Sequence, residues 1–213
     1  MEQARLNMVE QQIRPWNVLD PCVLELLGRI KREQFVPPGM QKMAFMDMEV
    51  PLGYGASMWC PKVEARALQE LHLKRTDYVL EVGTGSGYFT ALLAQLAEHV
   101  TSVEIAPELN AFAEKNLAAH HVSNVTLLVG DAARGWPGSY DAIILTGSVP
   151  VLPEAFQNSL KPGGRLFAIV GEGAMMQAER ITCVSPGVFE KTDLFETSVP
   201  PLKNVLQPKR FVF

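Results

Sequence analysis

The sequence predicts an α/β fold built on a doubly wound, largely parallel sheet, and three observations predict it. An apolar strand, Tyr78 to Val82, runs into three alternating glycines, Gly83, Gly85 and Gly87, and then into a helix-forming segment that begins near Tyr88. From there to Val170, apolar runs alternate with amphipathic segments, the pattern of strand and helix units that stack into a parallel sheet. The second apolar run, Val100 to Val103, ends in Glu104, 21 residues after Gly83. That spacing puts a carboxylate where it can hold the hydroxyls of a ribose.

The elements follow in order. Glu2 to Ile13 and Pro21 to Lys31 read as helices, the second with Asp20 as its N-cap and Pro21 at its first position. Phe35-Val-Pro-Pro38, Pro51-Leu-Gly-Tyr-Gly55 and Cys60-Pro61 then punctuate an irregular passage ahead of a helix from Pro61 to Leu71. A loop-rich passage of this kind is commonly functional. Residues 1–60 are therefore expected to form a helical and loop extension that covers the active site, and residues 61–213 the ligand-binding domain. After the glycine loop and its helix come the strand Val100 to Val103 and a helix opened by Pro107 with Leu109, Phe112, Ala113 and Leu117 on one face. Val125 to Val129 is the next strand, ended by Gly130-Asp131. Tyr140 to Thr146 follows, nearly all apolar as a strand covered on both faces should be. A short helix from Leu152 to Leu160 stops at Lys161-Pro-Gly-Gly164, and Arg165 to Val170 is the fifth strand. Beyond Gly171 the character changes: Ala178 to Val184, the turn Ser185-Pro-Gly187 and Val188 to Thr197 read as an antiparallel hairpin, and Arg210 to Phe213 as a last strand.

Composition narrows the function. At 213 residues and 47% hydrophobic content the chain can bury a sizeable core. A net charge of −4 without a basic run argues against a nucleic-acid or anionic-membrane partner. The start, Met1-Glu-Gln-Ala-Arg5, lacks the apolar core of a signal peptide, and no stretch reaches the ~20 apolar residues of a membrane span. Cys22, Cys60 and Cys183 are odd in number and widely spaced, so they read as reduced thiols with no zinc site. The expected setting is the cytoplasm.

The glycine spacing discriminates between adenosine ligands. A dinucleotide fingerprint reads G-x-G-x-x-G, whereas here the third glycine falls one residue early and Tyr88 takes the last position. This favours S-adenosylmethionine over NAD. That ligand carries no pyrophosphate, so its site has less need of the helix dipole, and an acidic residue just before the loop, Glu81, is tolerable beside its cationic amino group. The expected cofactor contacts on this side are Glu81, Gly83, Thr84, Gly85, Ser86, Gly87 and Glu104. The competing reading, a nicotinamide-dependent oxidoreductase, lacks an evident hydride-transfer acid.

These residues also carry a family likeness. The chain resembles the protein-L-isoaspartate O-methyltransferases in Met8-Val-Glu-Gln-Gln-Ile13, Phe35-Val-Pro37, Pro51-Leu-Gly-Tyr-Gly55, Val79 to Tyr88, Val129-Gly-Asp131, Gly135-Trp-Pro137, Tyr140 to Ile144 and Leu160 to Arg165. The resemblance implies a Rossmann-like class I methyltransferase sheet, and methylation of the abnormal carboxylate of isoaspartyl residues in damaged proteins and peptides, whose ester cyclises to a succinimide on the way back to aspartate. It also implies that Asp131, with Ala132 beside it, holds the adenine amino group. The alternative for Asp131 is a turn or N-cap aspartate.

One segment departs from the family pattern. Where a Gln-Thr-Ile-Ser run is expected, the chain reads Ala56-Ser-Met-Trp59. Ser57 falls on the threonine and Trp59 on the serine whose hydroxyl lies near the reacting carboxylate. Ser57 and Trp59 are thus the candidate acceptor-side residues, Trp59 either shaping the acceptor pocket or serving as a core aromatic. An alternative function is transfer to a different acceptor, or cofactor binding alone. The chemistry itself asks for no general base, because a carboxyl group titrates near ~4 and is already ionised at neutral pH. His72, His99, His120 and His121 are accordingly expected on the solvated surface. Cys60, at a helix start, is read as a buried inert thiol or as one made reactive by the helix end.

Overall fold

A computed structural model describes residues 1–208; the predicted strand Arg210 to Phe213 lies outside them. A seven-stranded sheet has the order β5-β4-β3-β6-β7-β8-β9, in which β3 is Tyr78–Val82, β4 His99–Glu104, β5 Val125–Val129, β6 Tyr140–Val149, β7 Leu160–Glu172, β8 Met175–Ser185 and β9 Val188–Thr197. The first five are mutually parallel, and β8 and β9 are antiparallel additions. Chain order moves outward from β3 through β4 to β5, then returns to the other side of β3 with β6. Such a reversal leaves a crevice at the carboxyl ends of the strands on either side of it.

Burial follows the strand pattern. Val79, Leu80 and Val82 of β3, Ala142 to Leu145 of β6 and Leu166 to Ile169 of β7 are covered on both faces, as parallel strands between helices require. The outer strand β9 carries Glu190, Lys191, Thr192 and Asp193 in exposed positions. Charges on an edge of this kind discourage pairing with another chain.

The helices that cover the sheet are α3 (Pro61–Glu70), α4 (Tyr88–Leu96), α5 (Pro107–Ala119) and the short α6 (Glu154–Asn158), with α1 (Glu2–Met8) and α2 (Pro21–Arg29) in the N-terminal extension. The first predicted helix is shorter than expected as an α-helix, since Val9–Ile13 continues it as a π-helical turn. Asp20 caps α2 as predicted, its Oδ1 accepting from the Cys22 N–H at 2.8 Å. A feature absent from the sequence reading is the hairpin β1 (Val50–Gly53) and β2 (Ala56–Met58), whose turn holds Tyr54 at φ +54°. The fifth parallel strand also starts earlier and ends later than Arg165 to Val170.

Residues 1–60 do not stand apart from the rest. Met8, Ile13, Leu27, Phe35 and Phe45 share one apolar cluster with Val63, Leu68, Phe89, Ile144 and Phe167. The ring of Trp16 meets that of Phe195 on β9 edge to face, with centroids 5.1 Å apart.

Candidate active site

The crevice at the ends of β3 and β6 opens into a cavity of about 1010 Å³, its mouth included. One wall is the glycine loop. Gly83 adopts φ +97°, and a Cβ there would lie 2.2 Å from Thr146 Oγ1; only glycine permits both the backbone angle and the approach. The Thr146 hydroxyl donates to the Gly83 carbonyl at 2.6 Å, which ties the loop to β6.

Glu104 is 5% exposed and lines the cavity. Its Oε2 accepts from the Gly85 N–H at 2.9 Å and its Oε1 from the Ala106 N–H at 3.0 Å. Each oxygen retains a lone pair for a further donor, so the carboxylate can take hydroxyls while it holds the loop. Across the cavity Asp131 is anchored by the Ala133 N–H at 3.1 Å and by Asn204 Nδ2 at 2.8 Å. Ala132 lies buried next to it. Gly83, Thr84, Gly85, Ser86, Glu104, Asp131 and Ala132 all line the same cavity.

Two expected contacts lie elsewhere. Gly87 is the N-cap of α4 and its space is taken by α5, a Cβ there meeting Ala113 and Leu117 at 3.2 Å. Glu81 is outside the lining and wholly buried beneath the loop, where its Oε2 accepts from Thr90 at 2.5 Å and Ser102 at 2.6 Å. Because Ser102 spends its proton on Glu81, the Thr84 hydroxyl 2.6 Å away is the donor of that pair, so its side chain also points beneath the loop. Every side chain of a doubly covered strand is buried, so apolar pattern alone does not say which face of β3 meets the cavity.

Burial pushes the Glu81 carboxyl up to about 8, against the hydrogen bonds from Ser102 and Thr90 and with the help of the Glu104 charge. Its Oε1 has no hydrogen-bond partner. At neutral pH the group is mostly protonated in the fold, whereas in the unfolded chain it ionises near ~4.3. Stability contributed by the neutral carboxyl is therefore complete below that lower value and is lost as pH rises toward about 8, at a slope of up to ~1.4 kcal/mol per pH unit. Glu81→Gln should remove this decline. Urea unfolding of both proteins at pH 5 and pH 8 checks it, and parallel pH profiles would refute the assignment.

The opposite wall is the hairpin. Leu52, Tyr54, Ser57 and Trp59 reach the cavity, and Leu52 Cδ1 would lie 3.2 Å from a Cβ on Gly85. The Ser57 hydroxyl donates to Glu49 Oε2 at 2.7 Å, so toward the cavity it offers lone pairs and no proton. Trp59 is 4% exposed, its ring packed against Phe89 and Phe167 with centroids 6.2 Å from each. The indole is thus a core aromatic that also closes one side of the cavity. Cys60 is half-buried, and burial with the charges of Asp47 and Glu49 pushes its thiol up, away from the thiolate form.

Sequence reasoning missed Arg32, Glu64 and Thr146; the segment Pro200 to Lys203, which the sequence suggests as an acceptor-side wall, also lines the cavity. Arg32 is wholly buried. Its Nε donates to Glu64 Oε2 at 2.9 Å, Nη1 to the Ala44 carbonyl at 2.9 Å and Nη2 to the Trp59 carbonyl at 2.6 Å. Glu64 lines the cavity, and burial raises its carboxyl against the pull of Arg32. Arg32 thereby pins the hairpin's exit to α3. The histidines stand apart from the cavity lining, and His120 departs from the expected solvated placing by stacking on Phe35 at 4.4 Å between centroids.

The arrangement can be compared with known proteins. The family model for protein-L-isoaspartate(D-aspartate) O-methyltransferase matches residues 3–204. The chain belongs to that family. A protein-L-isoaspartate O-methyltransferase 1 of Anaeromyxobacter sp. is 39% identical over 91% of this chain and 93% of its own length. A protein-L-isoaspartate O-methyltransferase 2 of Marinobacter nauticus is 38% identical over 95% and 94%. Among solved structures, a protein-L-isoaspartate O-methyltransferase superimposes with a TM-score of 0.80 at 22% identity, covering 96% of this chain and 66% of that one. A putative family member from Plasmodium falciparum in complex with S-adenosyl-L-homocysteine gives 0.77 at 20%, covering 93% and 98%. These two likenesses establish the family's α/β fold for the chain.

Proposed function

We propose that the chain is an S-adenosylmethionine-dependent carboxyl methyltransferase that esterifies the isoaspartyl carboxylate of damaged proteins and peptides. The observation that carries the reading is the pairing, within a member of this family, of a glycine-loop cradle bonded to Glu104 with a facing hairpin wall. The residues fit the cofactor. Gly83, Gly85, Glu104 and Asp131 line one cavity, the Glu104 carboxylate keeps a lone pair on each oxygen for the ribose hydroxyls, and Asp131 has lone pairs for the adenine amino group.

Bound there, S-adenosylmethionine supplies an electrophilic methyl group on a sulfonium. Passing it to the acceptor carboxylate would exchange the C–S bond for a C–O bond and leave a methyl ester and a neutral thioether. No proton moves, so the protein's task is to place two groups at contact distance and exclude water. Leu52, Phe89 and Trp59 supply the apolar surroundings, while Glu104, itself fixed by the Gly85 and Ala106 N–H groups, would hold the nucleoside end. Residues 1–60 act as the cap of this site, with Ser57 on the acceptor side. The unpaired thiols of Cys22, Cys60 and Cys183 support a cytoplasmic setting, and among the described residues no helix is long and apolar enough to cross a membrane. The net charge of −4 weighs against nucleic acid as a partner.

A second reading, transfer to a different acceptor, is favoured by Ser57, whose proton is spent on Glu49 and whose hydroxyl meets an incoming carboxylate with lone pairs alone. Methyl transfer from labelled S-adenosylmethionine to an isoaspartyl peptide, with the aspartyl peptide as control, separates the two. Labelling of the isoaspartyl peptide alone is expected. Calorimetry tests the cofactor end: Glu104→Ala should weaken S-adenosylhomocysteine binding by about 1 to 3 kcal/mol, and unchanged affinity would remove Glu104 from the site.

A further inference from the structure

After β9 the chain turns back across the carboxyl ends of the strands. Its first attachment is Ser148 at the end of β6, 1% exposed. The Ser148 hydroxyl donates to the Val199 carbonyl at 3.1 Å, its N–H donates to the Pro200 carbonyl at 3.0 Å, and its carbonyl accepts from the Leu202 N–H at 3.0 Å. Leu202 lies so close over Gly147 that a Cβ there would be 3.0 Å from the Leu202 nitrogen. The second attachment is on the far side of the cavity, where Asn204 Nδ2 reaches Asp131 Oδ2 at 2.8 Å in the loop after β5. In the sheet, β3 and β4 stand between β6 and β5. The segment 199–204 therefore crosses the crevice above the glycine loop, with Pro200, Pro201 and Leu202 facing into the cavity.

The two attachments differ in kind. That at Ser148 is buried and made of backbone and hydroxyl bonds, whereas at the far end, among the described residues, the polar tie is one exposed amide-to-carboxylate bond, with Val205 beside it only partly buried against the apolar cluster. A strap fixed firmly at one end and lightly at the other opens at the light end. Asn204 uses one lone pair of Asp131 and leaves others for a ligand, so latch and ligand share one carboxylate.

We propose that Asn204 is a positioning residue that latches this strap across the cofactor cavity, orients Asp131, and makes release of S-adenosylhomocysteine wait for the latch to open. The proposal rests on the assignment of the cavity to S-adenosylmethionine.

Stopped-flow displacement of S-adenosylhomocysteine from the full chain tests it, with Asn204→Ala, Asn204→Asp and Asn204→Gln beside the unmodified protein. Asn204→Ala should release the ligand about 5- to 10-fold faster, the size expected of one hydrogen bond, with an association rate equal to or above that of the unmodified protein. Asn204→Asp, which sets two carboxylates face to face, should release it at least as fast, and Asn204→Gln should restore slow release. A merely structural defect would instead lower the association rate or the number of sites. Equal release rates in all four proteins, with binding intact, would overturn the latch and leave the cavity's assignment standing. An unmodified protein that bound no S-adenosylhomocysteine would overturn both.

Discussion

Replacement of Arg32 by Met should lower the stability of the fold by about 3 to 5 kcal/mol, the cost of leaving one partner of a buried ion pair without the other. Arg32 holds Glu64 and two carbonyls at once, and none of these has another strong donor at hand. Stranded in the core, the Glu64 carboxylate must either take up a proton or draw in water. Urea unfolding measures the loss. The double variant Arg32→Met/Glu64→Gln, which removes the charge as well, should recover part of it, because the penalty is mostly that of the unpaired carboxylate. A single variant within ~0.5 kcal/mol of the unmodified protein would show that the pair contributes no net stability. The same change should reach the site: with the Trp59 carbonyl released, the hairpin's exit is no longer held to α3, and affinity for S-adenosylhomocysteine should fall along with stability.

Trp59→Ser is expected to destabilise by about 3 to 5 kcal/mol, the range for removing a large aromatic from a core. On the family pattern alone this change reads as a repair, since it returns a serine to a serine position and should raise methyl transfer. The packing of the indole against Phe89 and Phe167 reverses that expectation. Serine there leaves a void lined by aromatic rings, and its hydroxyl would be buried among them. The isoaspartyl methylation rate should therefore fall or stay the same, while Trp59→Phe, which keeps most of the volume, should be tolerated far better. Thermal unfolding and the peptide assay together decide it. A faster, equally stable Trp59→Ser enzyme would mean that the indole obstructs the acceptor after all.

How much was legible in the sequence depends on the range of the force involved. Gly83, Gly85 and Glu104 could be read because a tight strand-to-helix turn and a carboxylate one strand over leave marks at short, regular spacing. Asp20 and Pro21 marked the start of α2 for the same reason: capping is a matter of adjacent residues. The hairpin β1–β2 was hidden because Pro51, Gly53 and Gly55 are turn formers and its strands are only four and three residues long, too short for alternation to show. Arg32 and Glu64 stand 32 residues apart, and nothing local distinguishes a buried charge from a surface one. Glu81 lies on the expected strand but faces beneath the loop, away from the cavity. The segment from Pro200 onward offers little pattern, because its prolines lack the N–H that a strand signal implies and its partners are Ser148 and Asp131, far away in sequence.

The contact between Trp16 and Phe195 has a consequence for how the chain is made. The two rings come from positions 179 residues apart, so the first emerges from the ribosome on the order of 10 to 40 s before the second at ordinary elongation speed. For that interval the apolar faces of the N-terminal helices have no strand β9 to lean on, although α3 and the glycine loop are already available. The cap must be finished last even though it is synthesised first, and a chain halted before Thr197 would present its active-site wall half built to whatever holds or degrades nascent protein.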